Sequence, residues 1–392
     1  MKLIHTADWH LGKLVQGVYM TEDQRHVLRQ LVDTVEREKP DAVIIAGDLY
    51  DRAVPPTEAV ELLDELLERI VIGLNTPVLA ISGNHDSPDR LNFGTRIMEG
   101  RGLHLAGQLR AEPRPVVLRD EYGEVHVHLV PYADPAQVRH LYGDESIRSH
   151  DEAMRAMVTR IEAAMDPAAR HVLVGHAFVT PGGEPQDNTS DSERPLSIGG
   201  AEHVRAEYFR SFHYTALGHL HQAHYVLQDN IRYAGSPLKY SISEESHRKC
   251  FYVVELDAQG TAAIDRRELV PLRDMRRITG TIQDIETHPV CDDYVFVTLT
   301  NDNPVLFPME KVRAVYPNAL HVERRPEGVR AKDAAESTEG TGNTPERRRE
   351  ADPVALFAAF YEEVKGKPLE EEKRLLFADT YGEVFKEEGD AV

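Results

Sequence analysis

Ile44-Ile45-Ala46-Gly47-Asp48 is a short apolar run that ends on a glycine and then on a potential metal ligand. Such a run reads as a buried strand, and the glycine permits the tight turn that aims the next side chain. The same device recurs in Ala80-Ile81-Ser82-Gly83-Asn84-His85-Asp86, in Leu173-Val174-Gly175-His176 and in Ala216-Leu217-Gly218-His219-Leu220-His221. A fifth segment, Thr6-Ala7-Asp8-Trp9-His10, ends the first strand with two ligand types two residues apart. Positions i and i+2 of an extended chain point to one side, so Asp8 and His10 can share an ion, and His219 and His221 can approach one locus. Sites in α/β sheets form at the carboxyl ends of strands, where all five segments deliver their polar residues.

Outward from these runs the first half alternates strands with helices, the pattern of a layered α/β architecture. Lys2 to Ala7 and Val78 to Ile81 read as strands. A helix is expected from Thr21 to Glu38, with Gln24 in the capping-box position and Val27, Leu28, Leu31 and Val35 at helical spacing. Pro55-Pro56-Thr57 starts a second helix lined by Val60, Leu63 and Leu67, and a third covers about 151 to 165. Residues 181 to 195 form a polar loop rich in Gly, Pro, Asn, Asp and Ser, which either gates a site or is mobile. Short β runs dominate from Tyr225, including Phe251 to Leu256. The expected organisation is a catalytic domain over 1–270, a small α+β cap over 271–325, a linker over 326–351 that lacks the apolar residues to fold, and a helical pair over 352–392.

Lys and Arg total 45 against 66 for Asp and Glu, a net charge of −21, which repels nucleic acid, anionic membrane and phosphate alike. A polyanionic partner must therefore be recruited locally. No run of about 18 apolar residues occurs, so neither a signal peptide nor a membrane span is expected, and the cytoplasm is the default location. Cys250 and Cys291 are too few and too ordinary in context for a disulfide framework or a thiolate zinc site. A bound metal would take oxygen and imidazole.

Any one Gly-His or Gly-Asp is usually a turn, but five ligand-bearing segments in order, each at a strand end, point to one shared site. Two Asp, one Asn and several His without a thiolate suit manganese, iron or zinc rather than calcium, and exceed what one ion needs. Two divalent ions roughly 3.5 to 4 Å apart clamp a phosphoryl group and lower the pKa of a bridging water.

The motifs D-x-H, G-D, G-N-H-D, G-H and G-H-x-H resemble those of the calcineurin-like metallophosphoesterases, all five being intact between Asp8 and His221. That resemblance implies a β-sandwich flanked by helices. Ile4-His5-Thr6-Ala7-Asp8-Trp9-His10-Leu11-Gly12, Gly47-Asp48-Leu49-Tyr50-Asp51-Arg52, Asp191-Ser192-Glu193-Arg194 and Tyr233-Ala234-Gly235-Ser236-Pro237 further resemble the bacterial SbcD nuclease subunits. The resemblance implies one metal on Asp8, His10, Asp48 and His221 and a second on Asp48, Asn84, His176 and His219, with Asp48 bridging. It implies that His85 assists the leaving oxygen and that Asp86 orients His85. Some relatives carry His where this chain has Asp51, so no role is transferred there. The implied activity is that of a metal-dependent DNA nuclease: a 3′–5′ double-strand exonuclease and single-strand or hairpin endonuclease, ATP-coupled through an SbcC ATPase, in a heterotetramer built on a homodimer. Within the same fold a small-nucleotide phosphodiesterase or phosphatase is the competing enzyme, and a non-catalytic scaffold the competing non-enzyme.

Arg52, Arg266, Arg267, Arg276 and Arg277 are the candidate DNA contacts. In the last segment Phe357, Phe360, Tyr361, Val364, Phe377, Tyr381, Val384 and Phe385 form apolar faces beyond the linker, the candidate docking surface for SbcC.

Overall fold

The structure, a computed structural model, describes residues 1–182, 189–193, 203–325, 354, 357–358, 361–362 and 365–389. The expected linker over 326–351, most of the 181–195 loop, and the candidates Phe360 and Val364 lie outside the described residues. The chain divides into two units, Met1–Arg276 and Arg277–Val392.

In the first unit the fully apolar runs become the inner strands of two six-stranded sheets. One has the order Ala262–Glu268, Cys250–Leu256, Lys2–Thr6, Ala42–Ile45, Val78–Ile81, Leu103–Ala106. Its last four strands are parallel, and Cys250–Leu256 pairs antiparallel with Lys2–Thr6. The other has the order His224–Val226, Gln228–Tyr233, Tyr214–Gly218, Arg170–His176, Gly123–Val130, Val116–Asp120. Here Tyr214–Gly218 and Arg170–His176 run parallel with Gly218 opposite His176, which sets two of the ligand-bearing strand ends side by side.

Strands buried on both faces need two cores. Between the sheets pack Leu3, Ile44, Leu79 and Val254 from one and Val125, Val172, Val174 and Ala216 from the other. On its outer face the first sheet carries Ile4, Val43 and Val78 against Val27, Leu31 and Val35 of helix Thr21–Glu38 and Leu62 and Leu66 of helix Thr57–Leu67. The second sheet packs Leu173, Leu217 and Ile231 against Met154, Met157 and Ile161 of helix His150–Ala163. The result is the expected sandwich with helices on both outer faces.

Two local expectations change. Helix Thr57–Leu67 buries Ala59, Leu62, Leu63 and Leu66 and leaves Val60 exposed, so its inner face is turned from the Val60-Leu63-Leu67 stripe; it continues as a π-helical turn over Glu68–Gly73. Helix Thr21–Glu38 has Met20 as its N-cap without a side-chain cap bond. The Gln24 amide instead donates to the carbonyls of Trp9 (3.1 Å) and His10 (2.7 Å), and its oxygen accepts from Gly12 N (3.2 Å). Tertiary acceptors thus take the side chain that local sequence assigns to a cap.

The second unit is built on a three-stranded sheet in the order Met275–Gly280, Tyr294–Leu299, Ala319–Arg324. Val295, Val297 and Leu299 pack there against Val312 and Val315 of helix Pro308–Val315. Towards the C-terminus a helix spans Glu371–Gly389. The rings of Phe357 and Phe377 stack at 3.9 Å, with Tyr361 and Tyr381 beside them. Among the described residues no helix is long and apolar enough to cross a membrane.

Candidate metal centre

Past the sheet the first two site loops still travel together. Asp8 N donates to Gly47 O (3.0 Å), His10 N to Asp48 O (2.9 Å) and Leu11 N to Leu49 O (2.9 Å). The backbone that results is strained: Asp8 has φ 53°, His10 45°, Asp48 53° and His219 108°. Non-glycine residues in this region cost about 1 to 3 kcal/mol each and persist where the surroundings over-determine them, commonly at functional sites. Gly83 is required by contact rather than by φ, since a Cβ there would lie 2.2 Å from Asp48 Oδ1. At Gly218 a Cβ would meet Ala46 O at 1.9 Å.

The expected ligands converge. Asp48 Oδ2 lies 3.5 Å from His10 Nε2 and 3.4 Å from His176 Nε2. On the first side His10 Nε2 is 3.1 Å from His221 Nε2. On the second, Asn84 Oδ1 is 2.9 Å from His176 Nε2 and 3.3 Å from His219 Nδ1. Asp8 joins them, its Oδ1 accepting from His219 N at 2.9 Å and lying 3.9 Å from His176 Nδ1. Asp8, His10, Asp48, His176, His219 and His221 are all buried.

The donor set fits divalent cations. Asp8 Oδ2 and His10 Nδ1 are buried without a hydrogen-bond partner, and an unsatisfied buried carboxylate oxygen is costly unless a cation meets it. His176 donates from Nδ1 to Ala46 O at 2.9 Å, which directs Nε2 toward Asn84 and Asp48. Burial pushes the Asp8 carboxyl up to about 7. At His176 burial works the other way, but the Asp48 carboxylate outweighs it and pulls the imidazole up to about 9. Protons held at these positions are the ones that metal ligation displaces. Asp8, Asp48 and His176 bring ligand atoms within 4.8 Å of one another, and so do His10, Asp51 and His85.

The sequence singled out Asp51 as a departure from its relatives but assigned it no role. Its Oδ1 lies 3.7 Å from His10 Nδ1 and is paired with Lys13 Nζ at 2.8 Å. The expected pairing of Asp86 with His85 is not the one found. His85 Nδ1 donates to the Asp51 carbonyl at 2.8 Å, while its backbone N–H donates to Asp48 Oδ1 at 2.9 Å. Asp86 is turned inward and accepts from the amides of Leu49 (3.1 Å), Tyr50 (3.0 Å) and Gly83 (2.9 Å). Three amides that converge on one buried carboxyl draw it away from an imidazole already served by a carbonyl, so Asp86 braces the loops.

His221 has partners that the motifs did not reveal. Burial works against the Glu244 carboxylate, but Lys249 and His221 outweigh it and hold it well below the usual range. It accepts from His221 Nδ1 at 3.1 Å and from Lys249 Nζ at 2.5 Å. Neither residue sits in a recognisable motif; the only signal is a buried-type environment around Cys250 to Leu256.

Of the candidate DNA contacts, Arg52 is exposed beside Asp51. Arg266 and Arg267 lie on the edge strand Ala262–Glu268, Arg267 paired with Glu38 (3.2 Å) and Asp265 (2.8 Å). Arg276 is half-buried and Arg277 exposed on Met275–Gly280. In the last segment Phe357, Tyr361, Phe377 and Tyr381 are half-buried around their mutual stack; Val384 and Phe385 lie on the backbone of helix Glu371–Gly389. Among the described residues there, Leu375 and Leu376 are exposed large apolar side chains.

The calcineurin-like phosphoesterase family matches residues 1–223. A family described as the type 5 capsule protein repressor C-terminal domain matches residues 271–365. The SbcD chain of the nuclease SbcCD from Staphylococcus epidermidis is 36% identical over 324 residues, covering 82% of this chain and 84% of that protein. Among solved structures, a dimetal phosphatase from Danio rerio is 11% identical and covers 69% of this chain and 96% of its own, with a TM-score of 0.40. A Thermus thermophilus protein is 11% identical and covers 68% of this chain and 98% of its own, with a TM-score of 0.39.

Proposed function

The chain belongs to the calcineurin-like phosphoesterase family and, within it, to the SbcD nuclease subunits, and from that premise we propose a DNA nuclease whose two divalent ions share Asp48. It is a metal-dependent phosphodiesterase; the proposal concerns its ligands, substrate, polarity and partner. One ion would be held by Asp8, His10, Asp48 and His221, the other by Asp48, Asn84, His176 and His219, with manganese the metal of choice. The observation that carries this is Asp48 Oδ2, 3.5 Å from His10 Nε2 on one side and 3.4 Å from His176 Nε2 on the other.

Bound there, divalent ions would supply Lewis-acid charge to the phosphodiester and to an attacking water. The protein buries Asp8, His10, Asp48, His176, His219 and His221 and holds Asp8, His10, Asp48 and His219 on strained backbone, positions that need no reorganisation during the reaction. His85 is half-buried at the rim with Nδ1 committed to Asp51 O. Its Nε2 is then the atom that passes a proton to the leaving oxygen, and only the imidazolium form has that proton to give.

By the same resemblance the substrate is linear duplex DNA, degraded 3′ to 5′ with ATP consumed by an SbcC partner, and single strands or hairpins cut internally, in the cytoplasm. The cap over 271–325 shapes access of DNA, and the segment over 352–392 docks on SbcC. A homodimer is supported by an apolar surface made by Val60, Ile72, Phe93 and Ile97, of which Phe93 and Ile97 are each 83% exposed. The test is an assay of the purified chain with Mn2+, with and without SbcC and ATP, on end-labelled duplex DNA, hairpins, a small phosphodiester and a phosphomonoester. Cleavage of duplex ends that needs SbcC and ATP is the expected result; hydrolysis of the monoester alone overturns the reading.

A further inference from the structure

Every polar atom of His221 except one is held by a buried apparatus that lies outside the five motifs. The Nδ1–H is shared between Glu244 Oε1 at 3.1 Å and Ser192 Oγ at 2.7 Å, and the Ser192 hydroxyl donates in turn to Glu244. The backbone N–H of His221 donates to Glu193 Oε1 at 2.6 Å, and its carbonyl accepts from Lys249 Nζ at 2.9 Å. Only Nε2 is left, 3.1 Å from His10 Nε2.

The supports of this apparatus are themselves satisfied. Lys249 commits its three protons to Glu244 Oε2 (2.5 Å), His221 O (2.9 Å) and Ser236 Oγ (2.8 Å). Glu193 Oε2 accepts from Ser190 N at 3.0 Å, and Ser190 Oγ donates to Glu244 at 3.3 Å. Glu244 is fully buried and Lys249 is 8% exposed. Placing two charges there is unfavourable, and a hydrophobic pair would fill the space at lower cost if packing were the only purpose.

We propose that Glu244, held by Lys249 and completed by Ser192 and Glu193, is the positioning residue of His221, fixing its tautomer and ring so that Nε2 faces one metal ion. This rests on the two-ion reading above and deepens it. It also gives the Asp191-Ser192-Glu193 stretch a fixed role: residues 190–193 are part of the wall of the metal site. A carboxylate behind a ligating imidazole orients the ring and raises its basicity, and its loss typically weakens metal binding about 10- to 100-fold.

The test is Mn2+ binding by the full chain, measured as free Mn2+ by electron paramagnetic resonance, alongside melting temperature. Glu244→Gln should weaken one of two Mn2+ equivalents about 10- to 100-fold and leave the other within a few-fold. Glu244→Asp should recover part of the loss. Because Glu244→Gln strands a buried lysine, the paired variant Glu244→Gln with Lys249→Met is the decisive one: it should regain melting temperature while the weak equivalent stays weak. Ser192→Ala should shift the same equivalent in the same direction. Wild-type affinity for both equivalents in the folded paired variant overturns the proposal and leaves the two-ion reading standing. A wild-type chain that binds a single Mn2+ or none overturns both.

Discussion

His85 donates from Nδ1 to the backbone carbonyl of Asp51 at 2.8 Å. A carbonyl can only accept, so the bond fixes which nitrogen is committed and leaves Nε2 for the substrate. The ring of His10 stands edge-on to it at 4.6 Å between centroids, which limits its rotation. His85→Ala should retain both Mn2+ equivalents, since no ligand is removed, and lose turnover by about 10²- to 10⁴-fold. Single-turnover cleavage at saturating Mn2+ checks this, and turnover within a few-fold of wild type would remove His85 from the chemistry.

Gly83 stands against the Asp48 carboxylate, which the two-ion reading has both ions share. A methyl group there would lie 2.2 Å from Asp48 Oδ1 and 2.5 Å from Asp48 N, too close for either atom to stay. Gly83→Ala should therefore abolish nuclease activity and weaken both Mn2+ equivalents together, because Asp48 serves both. Gly182→Ala, where a Cβ would meet nothing within 4 Å, is the matched control and should bind Mn2+ as wild type does. Loss of only one equivalent in Gly83→Ala would show that Asp48 is not shared.

Gln24 ties the first helix to the loop that carries Asp8 and His10, and its amide also donates to Tyr240 Oη at 3.0 Å. Gln24→Ala would leave Gly12 N–H and the His10 carbonyl without these buried partners, a loss of about 1 to 3 kcal/mol. The expected result is a lower melting temperature together with weaker Mn2+ binding, as His10 loosens. A change in stability with unaltered Mn2+ affinity would confine Gln24 to the scaffold.

What the sequence made legible were those candidate ligands whose placement is local. An apolar strand, a glycine and a polar residue form a complete device within five residues, so Asp48, Asn84, His176 and His219 could be read in order, and the sheet ends collect them as expected. Gln24 was misread as a cap because its acceptors, Trp9 and His10, come from a loop whose path only the sandwich fixes. Glu244 and Lys249 were missed for a similar reason: acid and base five residues apart look like a solvated pair until burial makes them a support for His221. Asp86 sat inside a motif yet took backbone amides, since three convergent N–H groups outweigh one imidazole. Val60 was misplaced because the sequence stripe does not show which face of the helix meets the sheet.

Asp120 links acid stability to the second sheet. Arg170 donates to both its carboxylate oxygens, at 3.0 and 2.5 Å, and that bidentate bond holds the carboxyl well below the usual range. A depressed folded pKa stabilises above the unfolded value of about 3.9 and is lost as pH falls below it toward the folded value. Asp120→Asn should cost about 1.5 to 3 kcal/mol at pH 7, and its deficit in melting temperature should shrink toward pH 3. An equal deficit at both values would mean that the pair contributes through packing alone.

The stack of Phe357 on Phe377, 3.9 Å apart and 4° from parallel, changes which residues are available to a partner. Rings that cover one another hold the two helical segments together and are not themselves a free surface. Among the described residues of this segment, Leu375 and Leu376, 57% and 67% exposed, are large apolar side chains that a partner can still bury. Each is worth about 1.5 to 3 kcal/mol on burial, so Leu375→Asp with Leu376→Asp should weaken association with SbcC by about 100-fold or more while Mn2+ binding by the isolated chain stays unchanged. Phe377→Ala should also weaken association, by loosening the pair of segments rather than by removing a contact, and removal of residues 352–392 should match the strongest of these effects. Association that survives that deletion would assign SbcC docking to another part of the chain.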